Sequence, residues 1–267
     1  MIFKFLSRWT ECRKPAAIPD ALWHGTISAL PFLARLDERE RWRLRQLAEA
    51  FLAEKEFSSA GGLELTDAMC VSIAVQGCLP ILNLGLDAYR DWVGVIVYPD
   101  EFVIPRTVED EFGVVHKYEE VASGEAWEGG PLLISWRDAQ LAGDGYNVVI
   151  HEFAHKLDML SGEADGMPPL PPAMSRAAWA HALNSAFDDF GTRVDEAIAR
   201  GDEDGESLPL DPYAAENPAE FFAVMSEAFF ETPTVLQQLY PDLYAQFEQF
   251  YRQRPLDCQG IASDQTD

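Results

Sequence analysis

DGYNVVIHEFAHKLD, residues 144–158, decides how the rest of the chain is read. Glycines at 143 and 145 turn the chain, and a helix is predicted from about 147 to 160. Tyr146, Val149, Ile150, Phe153, Leu157 and Leu160 make one apolar stripe, with His151, His155 and Asp158 on the opposite side. Residues four apart share a helix face, so two imidazoles can grip one metal ion. Glu152 points roughly 100° around from His151, close enough to reach a water beside the metal without ligating it. Two histidine ligands with a glutamate general base is the logic of a zinc protease.

Working outward, helices and strands mix. The stretch 36–54 has helical spacing, and Thr66 can cap a second helix running to about residue 76. Strands are predicted at 92–98, 114–118 and 132–136, the last reading LLISW. After the motif helix come a Gly- and Pro-rich surface loop (162–172), a helix (175–200), an acidic loop (201–212) and helices at about 218–231 and 234–252. The pattern is α+β: a small early sheet with the active-site helix, then a mainly helical C-terminal half. One domain is expected over 1–255, with loose halves at 20–165 and 166–255, and a disordered tail at 256–267.

The charge is unusual. Twenty basic residues against 45 acidic ones give −25, a surface that repels phosphate backbones and anionic lipid. The charge therefore argues against direct nucleic-acid and membrane-surface binding. The stretch 68–86 has no charged residue, yet Gln76, Gly77, Pro80 and Asn83 interrupt it and no Lys or Arg flanks it, so it reads as a core helix. Lys4 and Arg8 break the N-terminal apolar run, which therefore does not read as a signal peptide. Cys12, Cys70, Cys78 and Cys258 show no C-x-x-C spacing. Eight helical residues separate Cys70 from Cys78 by roughly 12 Å, too far for a bridge. Reduced thiols point to the cytoplasm.

Catalytic zinc usually takes three protein ligands and keeps one position open. In a continuation H-x-x-G-x-x-H the third would follow a glycine turn, but Asp158 and Ser161 occupy the matching positions. Asp158 reaches poorly from the same helix and reads better as a partner to a histidine N–H, or as a surface carboxylate. Asp165, in the loop, is a weaker ligand candidate. Glu220, in Asn-Pro-Ala-Glu-Phe-Phe-Ala from Asn217, is either a ligand or a capping-box residue beneath an Asn217 cap, with Glu216, Glu227 and Glu231 as competitors. Spacing leaves these alternatives open. His24, His116 and His181 have no ligand spacing and read as structural or solvated.

HEFAHKLD followed by DPYAAENPAEFFA resembles the Mlc titration factor A family of bacterial zinc-dependent peptidases, over most of the chain and in motif order. The two motif helices alone are also similar to the anthrax lethal factor metalloprotease. The resemblance implies a zincin-like fold and one Zn²⁺ per chain, with the third ligand at Glu220 beside His151 and His155. It also implies that Tyr213 faces the site, where its hydroxyl would serve a developing oxyanion. Peptides or small aminoacyl substrates, cut in an aminopeptidase-like way, are the implied substrates. Family members are further implied to sequester the glucose-responsive repressor Mlc without touching DNA. Two function classes follow: a peptidase, or a zinc-dependent regulatory binder whose peptidase activity is secondary. On the first, LLISW could pair with an extended substrate, unless it is an interior strand.

Overall fold

Arg45 shows how the first two helices are joined. The computed structural model describes residues 17–109, 115–202 and 204–257. Arg45 lies on α2 (Glu38–Glu54) and reaches back to α1 (Asp20–Ala29), where it meets Asp20 at 2.7 Å and the Trp23 ring at 5.7 Å. The start of α2 is a capping box: Asp37 accepts the Glu40 amide at 2.7 Å, and the Glu40 carboxylate accepts the Asp37 amide at 3.0 Å. Strand β1 (Glu56–Ser59) leads to α3 (Asp67–Cys78), whose Thr66 cap accepts the Met69 amide as expected. Beyond Asp67 in its first turn this helix is uncharged and core, and no described helix is long and apolar enough to cross a membrane. Cys70 and Cys78 are buried free thiols, whereas Cys12 and Cys258 fall outside the described residues.

The strands are β2 (Gly94–Tyr98), β3 (Phe102–Glu109), β4 (Val115–Ala122), β5 (Gly124–Ala126) and β6 (Leu132–Ser135). Four form a sheet in the order β1-β2-β6-β5, parallel except for β5, while β3 and β4 pair separately as a ribbon. LLISW is thus interior, and the edges are β1 and the three-residue β5, both of which the sequence reading missed along with β3. Trp136 leaves the strand to begin the short α4 (Trp136–Ala139).

Helix α5 (Val148–Asp158) carries the histidine motif, and α6 (Arg176–Ala199), α7 (Pro218–Glu231), α8 (Pro233–Leu239) and α9 (Pro241–Tyr251) follow. The helix expected at 234–252 is two helices. Pro241 has no N–H to continue a helix and bars Tyr240 from the helical region, so Tyr240 takes φ −135° and a new helix starts after it. Leu160, placed in the apolar stripe of α5, lies beyond its end and is exposed, and the tail from 258 onward falls outside the described residues.

One cluster of buried side chains runs from Ile18 to Tyr251 and takes in Phe153 of the motif. The Phe153 ring packs against Phe51, Tyr89 and Trp92 at centroid distances of 5.6, 5.1 and 5.7 Å. A buried ring of this kind contributes about 3–5 kcal/mol. Gly77 of α3 makes room for it, since a Cβ there would stand 2.3 Å from the ring. The motif helix is therefore fixed from behind by its own phenylalanine, with Glu152 and the histidines turned to the other side.

Candidate metal centre

Asn147 sets where α5 begins. Its side chain accepts the Ile150 amide at 2.9 Å and donates to Gln76 at 2.9 Å and Glu231 at 2.8 Å. Its own amide donates to Glu227. Glu231 also accepts the Gly143 and Gly145 amides at 2.9 and 2.8 Å, so the turn entering α5 is tied to α7. At positive φ, both glycines occupy backbone conformations that other residues rarely take.

Along α7, Glu220, Glu227 and Glu231 are spaced by seven and four and share one face against α5. Glu220 reaches the histidines: its Oε2 lies 2.9 Å from His151 Nε2 and 3.2 Å from His155 Nε2, and the two nitrogens are 3.1 Å apart. These three are the group among the described residues placed to hold a metal ion. Tetrahedral donors about 2.0–2.1 Å from a metal stand roughly 3.3 Å from one another. The observed triangle is close to that, and two imidazoles with a carboxylate are ordinary ligands for a divalent metal. The residues fit.

Glu227 is not part of the triangle. Its Oε1 lies 2.8 Å from His151 Nδ1, and because a carboxylate only accepts, the proton sits on Nδ1. Nε2 is thereby aimed at Glu220 and His155. Asp158, expected to partner a histidine, does something else. Fully buried, it accepts the Gly166 amide at 2.7 Å, while His155 Nδ1 has no hydrogen-bond partner in the protein. Trp179 donates to the Gly166 carbonyl at 2.9 Å, so the loop after α5 is pinned to the core rather than merely laid over it. Asp165 accepts the Met167 amide and lines the same cleft, outside the three-donor group. His24 and His181 are exposed; the His116 side chain is outside the described residues.

Glu152 lies beside the triangle, 5% exposed, in a cleft of about 700 Å³ walled by Glu120–Ala126, Tyr146, Asp211, Tyr213 and the start of α7. Burial raises its carboxyl to about 7, against the pull of His151 and His155. Tyr213 comes from a short turn, Pro212–Ala215, whose Asp211 cap accepts its amide. Its ring lies 6.1 Å from that of His151 and is half exposed at the rim. Burial and then the charge of Glu220 push the phenol up, so the hydroxyl stays protonated and able to donate. Spacing identified the α5 residues; the α7 stripe was visible only as a list of competing glutamates.

Two imidazoles from one helix, a carboxylate from another and a buried glutamate beside them are the equipment of a metal-dependent peptidase. The chain belongs to the glucose-regulated metallo-peptidase M90 family, whose model matches residues 6–252. It is 43% identical to Mlc titration factor A of Pectobacterium atrosepticum over 237 residues, covering 88% of this chain and 86% of the relative. Proteins of the same name from Serratia proteamaculans (40% identical, 92% of each chain) and Yersinia pestis (39%, 92% and 89%) are similar over a like span.

Proposed function

We propose that the chain is a zincin-like, zinc-dependent peptidase with His151, His155 and Glu220 as ligands to one Zn²⁺, Glu152 as general base and Tyr213 as oxyanion donor. The observation that carries this is the meeting of the three donors beside Glu152 in an open cleft. Zinc held there supplies Lewis acidity and makes water a nucleophile near neutral pH. Glu152 takes the proton of the attacking water on its carboxylate and passes it to the leaving amine. The Tyr213 hydroxyl donates to the carbonyl oxygen as charge develops on it. An extended peptide is accommodated along the sheet edge at β5, which lines the cleft, in place of the LLISW strand.

The substrates are small peptides or aminoacyl compounds cut in an aminopeptidase-like way, and residues 1–255 work as one unit in the cytoplasm. The relatives are named for titrating Mlc. Binding of that repressor by this chain, with peptidase activity secondary, is the second reading. Metal analysis and a peptide-library digest test the first. Chelation should abolish cleavage and one equivalent of zinc should restore it, while His151→Ala should behave like the chelated protein. Cleavage that persists without metal would refute it.

Metal uptake should also depend on pH. In the metal-free site burial pulls the His151 imidazole down, but the hydrogen bonds to Glu220 and Glu227 outweigh it and hold the ring protonated well above its ordinary range. A ligand imidazole must be neutral, so zinc displaces a proton. Below that raised pKa the apparent affinity should fall about tenfold per pH unit for each proton displaced, and above it level off. Chelator competition from about pH 8 down to about pH 6 reads this out; an unchanged affinity across that range would contradict it.

A further inference from the structure

Among the described residues, no hydrogen-bond donor meets the Glu152 carboxylate. Among these residues its direction is set by packing, and the surface it packs on is Gly124, the first residue of β5. A Cβ at Gly124 would stand 2.3 Å from Oε1, 2.5 Å from Cγ and 2.6 Å from Cδ of Glu152, well inside contact distance. The strand has little freedom to retreat. Gly124 pairs with Ile134 in register, and the Ser135 amide donates to the Ser123 carbonyl at 2.7 Å. From α5 itself, the Lys156 ammonium donates to the Trp127 and Gly130 carbonyls at 2.6 and 2.9 Å, which clamps the β5–β6 turn to the motif helix. The same ammonium stands 5.0 Å from the Trp92 ring.

We propose that Gly124 is a positioning residue for the reaction: its bare Cα is the seat that aims the Glu152 carboxylate. The inference rests on Glu152 being the general base. Gly124 does not have the positive φ that would make a glycine obligatory for backbone reasons, so alanine is tolerated by the chain. What must yield to an added methyl is the Glu152 side chain, which turns towards the cleft while helix, strand and histidines stay. The glycine is thus required by the carboxylate rather than by the fold.

The test is Gly124→Ala in the parent protein and in Glu152→Gln, measured for kcat and KM on the peptide the parent cuts fastest, for zinc affinity and for Tm. In the parent, kcat should fall about 10²-fold or more, near the share of a general base, with zinc affinity, KM and Tm little changed. In Glu152→Gln the same substitution should cost no more than about twofold, the scatter between independent sites. A crystal structure of Gly124→Ala should show the Glu152 carboxylate turned away from β5. Parent-like kcat, equal losses in both backgrounds, or lost zinc would each overturn the proposal. A fully active Glu152→Gln would instead remove the hydrolytic reading, and the crystal structure would still report whether the strand aims the carboxylate.

Discussion

Glu220→Gln is expected to lose its metal and keep its fold. As a cap the residue would contribute about 0.5–2 kcal/mol to stability and nothing to metal affinity. The cap of α7 is made without its carboxylate: Asn217 accepts the Ala219 and Glu220 amides at 2.9 and 3.1 Å. The Glu220 side chain turns instead to the histidines, whose hydrogen bonds overcome its burial and hold the carboxyl far below the usual range. Four-ligand zinc sites bind with about 10–16 kcal/mol, so one ligand is worth roughly 2.5–4 kcal/mol, or about 10²–10³ in affinity. Chelator competition should show that loss, while the metal-free variant still unfolds cooperatively. Asn217→Ala should do the reverse, lowering stability by about 0.5–2 kcal/mol with all three ligands present. If Glu220→Gln keeps the parent affinity, the third ligand lies elsewhere, and Asp165 or Glu227, which line the same cleft, is the next to remove.

Glu152→Gln should keep zinc and fold yet lose about 10²–10⁴ in kcat, the usual share of a general base. The substitution preserves the shape that packs on β5 and removes only the basic oxygen. Tyr213→Phe removes a single hydroxyl at the rim, where the ring is half exposed, so stability should hardly change. An oxyanion donor is worth roughly 10²–10³ in kcat, with KM nearly constant if the bond forms only in the transition state. Bound zinc, kcat and KM measured together separate the two roles. An active Glu152→Gln protein would end the hydrolytic reading; an active Tyr213→Phe protein would remove only the tyrosine from it.

Much of the helical framework was legible because its signals are local. Asp37, Thr66, Ser175 and Asn217 each cap the helix that follows them, and the starts at 38, 67, 176 and 218 lie within a residue or two of the expected ones. The sheet was less legible. Three residues of β5 and four of β1 carry too little alternation to register, and their strand character comes from partners distant in sequence. Asp158 was misjudged for a related reason. Helical spacing placed it near His155, but the loop amide it accepts, Gly166, approaches by a path that no periodicity records.

His151 and His155 are four helix steps apart with Glu152 one step from the first, so the sequence by itself determined the face the histidines share and the glutamate beside it, and the −25 charge with them. Glu220 is another matter, because a glutamate three residues after an Asn cap satisfies the local chemistry of a helix start and of a ligand equally well. Only the crossing of α7 over α5 distinguishes them, turning Glu220 to the Nε2 atoms, Glu227 to Nδ1 and Glu231 to the turn before the helix. Local hydrogen bonds and helical period are written into neighbouring residues. The meeting of side chains 69 positions apart exists only once the apolar faces of both helices have been buried in one core.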